Sequence, residues 1–389
     1  MRRLLYVVGF SLAEPAGRTI GTLNKHQELT SLLERVDLWD LSHTIGGRIF
    51  GHRRRALRVL GKALALAELN VRVFVGAFLL KRWDTVLARD VPLFGARLLR
   101  LRNVPFVVEV HADFGEEARM LGGRIQRMVA PFYARVLDRQ LRGADAVIFN
   151  HPLLERSIRA RLGLTNQTLA VYNGADVRAF DVMDKRTCRA ALGLPLDRPI
   201  VMFVGHVKVW HGVELLLQTF GALRLLAPGI ELYIVGGGGS VYARALQEQF
   251  ANAEGVHFLS AVSRSVSRQY MCAADLCALP VNNIRASPGS PIKLYDYAAC
   301  GKPIVTQAGV EGYDDVVRKF ELGIAVDFAD PRPAAREIAR YLQDLQQSEA
   351  ATSARIRATA ERDLSWRAVA LRWVTFMRGL HPAHHEVIR

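Results

Sequence analysis

Apolar runs of strand length alternate with helical segments along the whole chain of 389 residues. Runs this continuously apolar are typical of strands buried on both faces, and their alternation with helices predicts parallel sheets. Five runs precede a polar, proline-interrupted stretch and six follow it; they lie at 4–10, 71–78, 106–112, 146–150 and 169–174, and then at 199–205, 231–238, 256–260, 276–281, 303–307 and 323–328. The pattern therefore predicts an α/β protein with two doubly wound, Rossmann-like parallel-sheet domains.

The length of the chain also favours two domains, because it exceeds what one ordinary hydrophobic core serves. Half of the residues are hydrophobic, which is enough for both cores. We place an N-terminal domain at 1–182 and a C-terminal domain at 183–365. We expect a final helix at 366–389 to pack back toward the first domain, because its apolar residues recur every three or four positions, at Trp366, Val369, Trp373 and Phe376.

The sequence lacks the motifs of disulfide-bonded, zinc-binding, secreted and membrane-spanning proteins and of α/β-hydrolases. The four cysteines form no CxxC pair and have no zinc-ligand spacing, so they read as buried thiols in a reducing compartment. The first apolar run ends without a cleavage site, and no window reaches the ~18 consecutive apolar residues of a spanning helix. There is no GxSxG elbow and no metal-binding pattern. We expect a cytoplasmic protein without a metal site or cofactor.

Positive charge is concentrated in the first half of the chain. Residues 1–182 contain 28 Lys and Arg against 17 Asp and Glu, and much of the excess lies at 48–64 and 116–143. Such surfaces attract anionic lipid, nucleic acid or acidic substrates, and a solvated arginine-rich surface explains them equally well. No nucleic-acid-binding motif accompanies the charge, so we do not expect a nucleic-acid partner.

The stretch "SPGSPIKLYDYAACGKPIV" at 287–305 predicts a short helix between two strands. Pro288 and Pro291 fix its entry, the helix runs from Lys293 to about Cys300, and Gly301 is placed for a C-terminal cap. The free N–H groups at its start form an anion site at the carboxyl edge of the sheet.

The charged residues of this helix allow two interpretations. Asp296 lies about one turn in, where its carboxylate can accept hydrogen bonds from ribose hydroxyls. The alternative is that Asp296 only interacts with the helix dipole and that Lys293 is solvated.

Two other strand ends carry groups suited to a diphosphate. Gly205 ends a buried strand, and the loop that follows contains three basic side chains, namely His206, Lys208 and His211. Gly236 lies in the glycine-rich "GGGGS", which lets a ligand approach the backbone. Neither stretch has the GxGxxG or GxxxxGK[ST] spacing.

The first domain offers one candidate side chain and one candidate turn. His111 follows a buried strand and could exchange hydrogen bonds with a substrate hydroxyl, although structural histidines at strand ends are common. Gly17, before a helix in "SLAEPAGRT", is a candidate second phosphate-facing turn.

Taken in order, these stretches resemble the retaining glycosyltransferases of the GT-B fold, family 4 (glycosyl transferases group 1). The resemblance covers roughly residues 84–328 and rests on seven stretches at 84–112, 143–164, 169–181, 201–220, 232–240, 256–281 and 290–305. It implies two domains facing a cleft, with the acceptor on the first domain and a nucleotide sugar on the second.

The resemblance also assigns roles to individual residues. It implies that the backbone at Ile292, Lys293 and Leu294 contacts phosphate or ribose and that Asp296 holds the ribose hydroxyls, where the family usually has Glu. His111 aligns with a histidine near the transferred sugar, and Asn173 and Gly174 match the "NG" that ends the first domain.

Three departures from the family pattern are visible. Pro288 stands eight positions before Asp296, where the family often has an acidic residue for the donor sugar. His206 and His211 replace an Arg and a Lys of the diphosphate loop, so Lys208 is expected to supply the charge. His151 stands where a Ser commonly follows the strand.

The expected function is retaining transfer of a sugar from a UDP- or GDP-sugar to a glycan or lipid-linked acceptor, in the synthesis of cell-surface polysaccharide or glycolipid. His111 and Lys208 are the expected catalytic residues, in a metal-independent front-face reaction. The basic first domain suits peripheral contact with anionic lipid on the inner face of the plasma membrane. A nucleotide-sugar 2-epimerase and a catalytically weak binding or scaffold protein remain the alternatives.

Overall fold

The computed structural model describes residues 1–13, 17–50, 55–113, 124–237, 239–282 and 289–381. The chain forms two compact units. The first unit contains Met1–Tyr172 and Val369–Arg389, and the second contains Asn173–Ala368. Each unit is built on a six-stranded sheet whose strand pairs are all parallel. The α/β prediction, with two doubly wound sheets, is therefore confirmed.

The sheet of the first unit has the order β2-β1-β3-β4-β5-β6. Its strands are β1 (Arg3–Val8), β2 (Arg35–Trp39), β3 (Thr85–Arg89), β4 (Phe106–Val110), β5 (Ala146–Phe149) and β6 (Gln167–Ala170). The helices described between them are α1 (Gly17–Leu32), α2 (Ile45–Phe50), α3 (Arg55–Phe74), α4 (Arg124–Gly143) and α5 (Pro152–Leu162). Burial of both sheet faces explains why β1, β3, β4 and β5 are so continuously apolar.

One predicted strand in this unit is wrong. Residues 71–78 continue α3 and then form a single wide helical turn at Val75–Leu79. Leu69, Val73 and Ala77 recur every four residues and are all buried in the core, so the helical period applies and the β-branched run is not a strand. The sheet has six strands because β2 and β3, which the apolar-run pattern missed, join the four predicted strands that are present, and β6 begins two residues earlier than predicted.

The sheet of the second unit has the order β12-β11-β10-β7-β8-β9. Its strands are β7 (Ile200–Val204), β8 (Glu231–Val235), β9 (Val256–Leu259), β10 (Leu276–Leu279), β11 (Ile304–Gln307) and β12 (Gly323–Val326). The helices are α6 (Lys185–Leu192), α7 (Val213–Leu226), α8 (Val241–Gln249), α9 (Arg264–Ala273), α10 (Ile292–Ala299), α11 (Asp314–Lys319), α12 (Pro331–Asp363) and α13 (Trp366–Gly379), the last of which continues into the first unit. All six strands predicted for this half of the chain are present.

Residues 331–379 are helical except for a break at 364–365, so the last helix ends ten residues before the predicted position 389. There Ala175 pairs with Ser365, and an added Cβ at Gly174 would lie 2.7 Å from the Trp366 ring. Of the predicted apolar stripe, Trp366, Val369 and Trp373 are buried. Within the described ranges, no helix combines the length and the apolar character needed to cross a membrane. The predicted basic stretches at 48–64 and 116–143 fall partly outside the described residues, and Pro288 lies outside them.

Candidate active site

Three elements of the second unit meet where β7 and β8 end. Gly205 follows β7 with a φ of 138°, and an added Cβ would lie 2.3 Å from Cε of Lys293. Gly236 follows β8 with a φ of 98°, and its added Cβ would lie 2.8 Å from the carbonyl oxygen of Gly205. Glycine is required at both positions because the backbone conformation and the space exclude a side chain. The sequence-predicted Gly205, Gly236 and Lys293 are therefore brought together.

Lys293 is a cation that lacks an acidic partner in the described part of this unit. Its Nζ lies 4.5 Å from the centroid of the Phe203 ring, and no carboxylate lies within ion-pair distance. Burial, and then the charge of Lys208, lower the pKa of Lys293 to about 7. Two neighbouring ammonium groups without a carboxylate between them form a favourable place for an anion.

The loop after Gly205 carries the three predicted basic residues in different states. His206 and Lys208 are exposed, and Nζ of Lys208 lies 5.0 Å from the Trp210 ring. His211 donates through Nδ1 to the carbonyl oxygen of His206. Burial, followed by the charge of Lys293, lowers the pKa of His211 to about 3, so its ring is neutral. His211 therefore shapes the loop, and Lys208 supplies its charge.

The start of α10 is held by side chains from outside the helix. The Asn173 N–H donates to Oγ of Ser290 at 3.1 Å, and Nδ2 of Asn173 donates to the Ser290 carbonyl at 2.7 Å. Oγ of Ser290 lies 2.6 Å from the Tyr295 hydroxyl. The "NG" stretch thus belongs to the second unit and fixes the loop that enters α10.

No described side chain caps the N-terminus of α10. The N–H of Leu294 donates to the carbonyl of Pro291 at 3.2 Å, so this predicted phosphate donor is used inside the turn. The N–H groups of Ile292 and Lys293 belong to the first turn, where intrahelical partners are lacking. The predicted backbone anion site thus reduces to Ile292 and Lys293.

Asp296 has one carboxylate oxygen, Oδ1, that is buried without a hydrogen-bond partner among the described residues. Burial raises the pKa of Asp296 to about 7; the positive charge of Arg264 opposes this shift and the charge of Asp176 adds to it. Arg264 itself donates to Asp176 at 2.9 Å. A buried carboxylate oxygen without a donor is costly, so the observation favours a ligand hydroxyl over a purely structural role.

The first unit contains a buried ionic cluster that includes His111. Glu109, in β4, accepts hydrogen bonds from the Tyr6 hydroxyl and from Nζ of Lys25 on α1. Glu109 and Lys25 are each 1% exposed, and Arg89 at the end of β3 is 3% exposed. Burial raises the pKa of Glu109, but the charges of Lys25 and Arg89 and the hydrogen bond from His111 outweigh it and hold that pKa well below its usual range. Glu109 is therefore ionised inside the unit.

His111 is fixed by this cluster. Its Nε2 contacts Oε1 of Glu109, and its Nδ1 lies 3.2 Å from Nδ2 of Asn150. Burial, and then the charges of Arg89 and Lys25, lower the pKa of His111 to about 3. A neutral ring that donates from Nε2 to Glu109 and accepts at Nδ1 from Asn150 satisfies both contacts. Both ring nitrogens are thus engaged inside the protein, which argues against free proton transfer by His111.

The structure explains another unusual residue and places two others. His151 is the N-cap of α5, where its Nδ1 accepts from the Leu153 N–H at 3.0 Å. It therefore performs the capping that a Ser would provide.

Two other residues singled out in the sequence of the first unit are also placed by the structure. Asp113 pairs with Arg161 at 3.1 Å, and Gly17 lies exposed at the start of α1. No three His, Cys, Asp or Glu side chains of the described chain are grouped as metal ligands.

The ionic cluster was missed because its members are far apart in sequence. The feature of the sequence that indicates such a cluster is Glu109 itself, a charged residue within a strand that is otherwise apolar and buried. A carboxylate in that position requires a buried donor. The identity of that donor, Lys25, depends on how α1 packs, which the local sequence does not reveal. Asn150, Ser290 and Arg264 were missed for the same reason.

Two six-stranded parallel sheets with flanking helices define the class of GT-B glycosyltransferase structures. The chain also matches two family models, "Glycosyl transferases group 1" at residues 184–359 and "Glycosyl transferase 4-like domain" at residues 35–174. Together the two matches span most of the chain. The protein therefore belongs to the group 1 glycosyltransferases, as its sequence motifs predicted.

The chain is similar in sequence to curated relatives and similar in fold to solved structures. D-inositol 3-phosphate glycosyltransferase of Mycolicibacterium paratuberculosis is 31% identical over 203 residues, which cover 50% of this chain and 44% of the relative. The chain matches less than half the length of such curated relatives. Sucrose-phosphate synthase from Thermosynechococcus elongatus has a TM-score of 0.68 and 19% identity, with 98% and 99% of the two chains covered. Anabaena HepE, in complex with UDP and glucose, has a TM-score of 0.65 and 18% identity, with 97% and 100% covered.

Proposed function

We propose that this protein is a retaining hexosyltransferase that moves a sugar from a nucleoside diphosphate sugar to a glycan or lipid-linked acceptor. The supporting observation is the arrangement at the start of α10. Lys293 has no acidic partner in the described part of the second unit, and one turn later Asp296 has a carboxylate oxygen without a donor. A nucleoside diphosphate carries complementary groups, because its phosphates are anionic and its ribose has two hydroxyls.

In this proposal the second unit stabilises the leaving group. Cleavage of the bond between sugar and diphosphate leaves negative charge on a phosphate oxygen. Lys293, Lys208 and the free N–H groups of α10 are the protein groups that would stabilise that charge. These groups make a metal ion unnecessary, so EDTA is expected to leave donor binding unchanged. His111 would orient the sugar through its ring rather than transfer a proton, since both of its nitrogens are engaged.

The donor assignment is tested by measuring thermal stability in the presence of UDP-, GDP- and ADP-sugars. One of them should raise the melting temperature in proportion to the logarithm of its concentration, as expected for a ligand that binds only the folded state. If none of these nucleotide sugars changes the melting temperature, the donor assignment is wrong and a binding or scaffold role gains support. Release of an epimerised free sugar without an acceptor would support the epimerase instead.

Replacement of Asp296 with alanine is expected to weaken donor binding by ~1 to 3 kcal/mol, because charge-assisted hydrogen bonds to the ribose would be lost. Calorimetric titration with the nucleotide sugar found in the screen measures the change. Asp344→Ala, an exposed aspartate on α12, serves as the control and should leave affinity unchanged.

A deoxyribose analogue identifies the hydroxyls as the partner. Wild-type protein should bind the 2′-deoxy or 3′-deoxy form of the nucleotide more weakly than the parent, whereas Asp296→Ala should bind both forms equally. Full discrimination by a well-folded Asp296→Ala variant would assign the ribose contact to another residue.

We further propose that the acceptor is reached at an anionic membrane surface, through a patch of the first unit that we call the 75–102 surface. It consists of the turns at Val75–Leu79 and Ala96–Arg102, which pack on each other, and the residues beside them. Nε of Arg102 donates to the Phe78 carbonyl at 3.0 Å and links the two turns. The patch exposes several large apolar side chains, among them Leu79, Leu80, Phe94, Leu98 and Leu101 at 56%, 53%, 67%, 46% and 74%.

The surroundings of these side chains suit anionic lipid. Lys81, Arg82 and Arg97 are exposed beside the apolar residues. Apolar side chains ringed by basic ones allow shallow insertion together with electrostatic attraction.

The double variant Leu80→Ser/Leu101→Ser should pellet several-fold less with vesicles that contain anionic lipid at ~0.15 M salt. Leu225→Ser, which changes an 85% exposed leucine of the second unit, should pellet like the wild type. Sedimentation with the vesicles measures both. Wild-type protein that stays in the supernatant would remove the membrane proposal and leave the donor assignment intact.

A further inference from the structure

A cavity of about 230 Å³ lies in the second unit at the sheet edge opposite to Gly205 and Gly236. Its lining comes from residues that precede strands, namely Pro199 before β7, Asp275 before β10 and Pro303 before β11, and from one face of α12. Ligands of the nucleotide-sugar site face the carboxyl ends of the same strands. The cavity is therefore a separate feature of the fold.

Lys302 lines this cavity and is the unusual residue in it. It is 5% exposed, and its side chain makes no hydrogen bond or ion pair with any described residue. Asp184 and several thiols lie within its electrostatic reach, and Oδ1 of Asp184 accepts hydrogen bonds from the N–H and hydroxyl of Thr187. Because Lys302 lines the cavity, an anion bound there would provide the acceptor for its ammonium that the described residues do not.

Three acidic residues line the cavity; Asp197 is next to Arg198 in the sequence, and the other two, Asp275 and Glu349, are paired with other cations. Asp275 is bonded by Nζ of Lys185 at 2.8 Å, by Arg189 at 2.6 Å and by the Ile200 N–H at 2.6 Å. Glu349 pairs with Lys185 at 2.6 Å. These carboxylates are already neutralised, whereas Lys302 is not.

The other lining residues indicate the chemistry of a ligand. Thr352 and Ser353 place hydroxyl groups on the α12 side, and Arg198, whose guanidinium pairs with Glu231 at 2.6 Å, lies exposed at the rim. Hydroxyl donors beside the Lys302 ammonium are suited to bind the oxygens of a phosphate group. Leu342 and Leu345 are buried beside them and provide apolar surface for a carbon skeleton.

We propose that this cavity binds a small organic phosphate monoester, with Lys302 as the principal phosphate ligand. Lys302 follows α10 after only two residues, and its N–H donates to the Tyr297 carbonyl at 3.0 Å. The helix that carries Lys293 and Asp296 thus ends at the cavity. The site lies on the second unit and requires no part of the donor assignment.

Calorimetric titration of the full chain with inorganic phosphate, a hexose 6-phosphate and a nucleoside monophosphate tests the proposal, with chloride at equal ionic strength as the reference. At least one organic phosphate should bind more tightly than inorganic phosphate. Lys302→Met should weaken that binding at least about tenfold, because a charge-assisted contact is lost. The same variant should melt at a higher temperature without ligand, since the uncompensated charge is gone.

Two further variants separate this site from the donor site and from a folding defect. Lys293→Met should leave the binding unchanged, and Lys302→Arg should retain most of it. If Lys302→Met does not fold, the double variant Arg198→Met/Ser353→Ala should still reduce the affinity. The proposal is overturned if no phosphate binds beyond the chloride reference, if Lys302→Met binds like the wild type, or if Lys293→Met abolishes binding.

Discussion

Glu109→Ala is expected to destabilise the first unit by about 3 to 5 kcal/mol, the range found when one partner of a buried ion pair is removed. The variant removes the carboxylate that accepts the Lys25 hydrogen bond and whose charge acts on Arg89, and both cations are at most 3% exposed. At about 2 to 4 °C per kcal/mol for a unit of this size, the melting temperature should fall by roughly 6 to 20 °C. Calorimetry measures this, and the transition of the second unit should stay in place.

Two further variants show whether unpaired charge is the cause. Lys25→Met/Glu109→Gln removes a cation together with the carboxylate and should lose less stability than Glu109→Ala. Glu254→Ala removes an exposed partner of Arg224, 85% accessible at the surface, and should have little effect. A Glu109→Ala protein that melts like the wild type would show that the cluster does not stabilise the unit.

The acid side of the stability profile provides an independent measurement. The pKa of Glu109 is lower in the folded protein than its ordinary value of 4.5. Its contribution to stability is therefore fully present above pH 4.5 and is lost as the pH falls through the lower folded value. Wild-type protein should lose stability over that acidic range, and Glu109→Ala should show a smaller loss over the same range.

Buried apolar strands could be predicted from the sequence because their composition follows directly from burial on both faces. β2 and β3 were missed because Asp37 interrupts the apolar run of β2 and Arg89 ends the short run of β3, yet Arg89 is buried against α1 and donates a 2.8 Å hydrogen bond to Thr22. Residues 71–78 were misassigned because β-branched residues also occur in helices that pack on a core. In each case tertiary contacts decided between two local structures that the sequence permits.

The second-unit site was easier to predict than the first-unit site. Lys293 and Asp296 belong to one short helix, so their spacing of three residues already places a cation and a carboxylate on the same side of that helix. Glu109, Lys25 and Asn150 come from three separate elements, and only the parallel order of β1, β3, β4 and β5 brings those elements together. The contact between Gly205 and Lys293 likewise depends on how β7 and α10 pack.

Lys293→Met is expected to weaken donor binding by roughly 10- to 100-fold near pH 6, because a charge-assisted contact to phosphate is lost. The effect should depend on pH, since the pKa of Lys293 is about 7 in the ligand-free protein. A bound diphosphate would raise that pKa again. The contribution of Lys293 to binding is therefore fully present below pH 7 and is lost as the pH rises toward the pKa of the bound state.

Proton uptake on binding distinguishes this role from a structural one. At pH 7, about half of the ligand-free wild-type molecules have a neutral Lys293, so Lys293 should contribute an uptake of roughly half a proton per donor, measured in the Asp296→Ala background because Asp296 has a pKa of about 7 as well and would release protons on binding. Titrations in buffers of different ionisation enthalpy measure that number, and a nucleotide sugar is the suitable ligand because its diphosphate does not titrate near pH 7. Lys293→Met should abolish the uptake, and Lys319→Met, an exposed lysine of the same unit, should preserve it. Equal affinity and equal proton uptake in Lys293→Met and wild type would exclude Lys293 from the phosphate site.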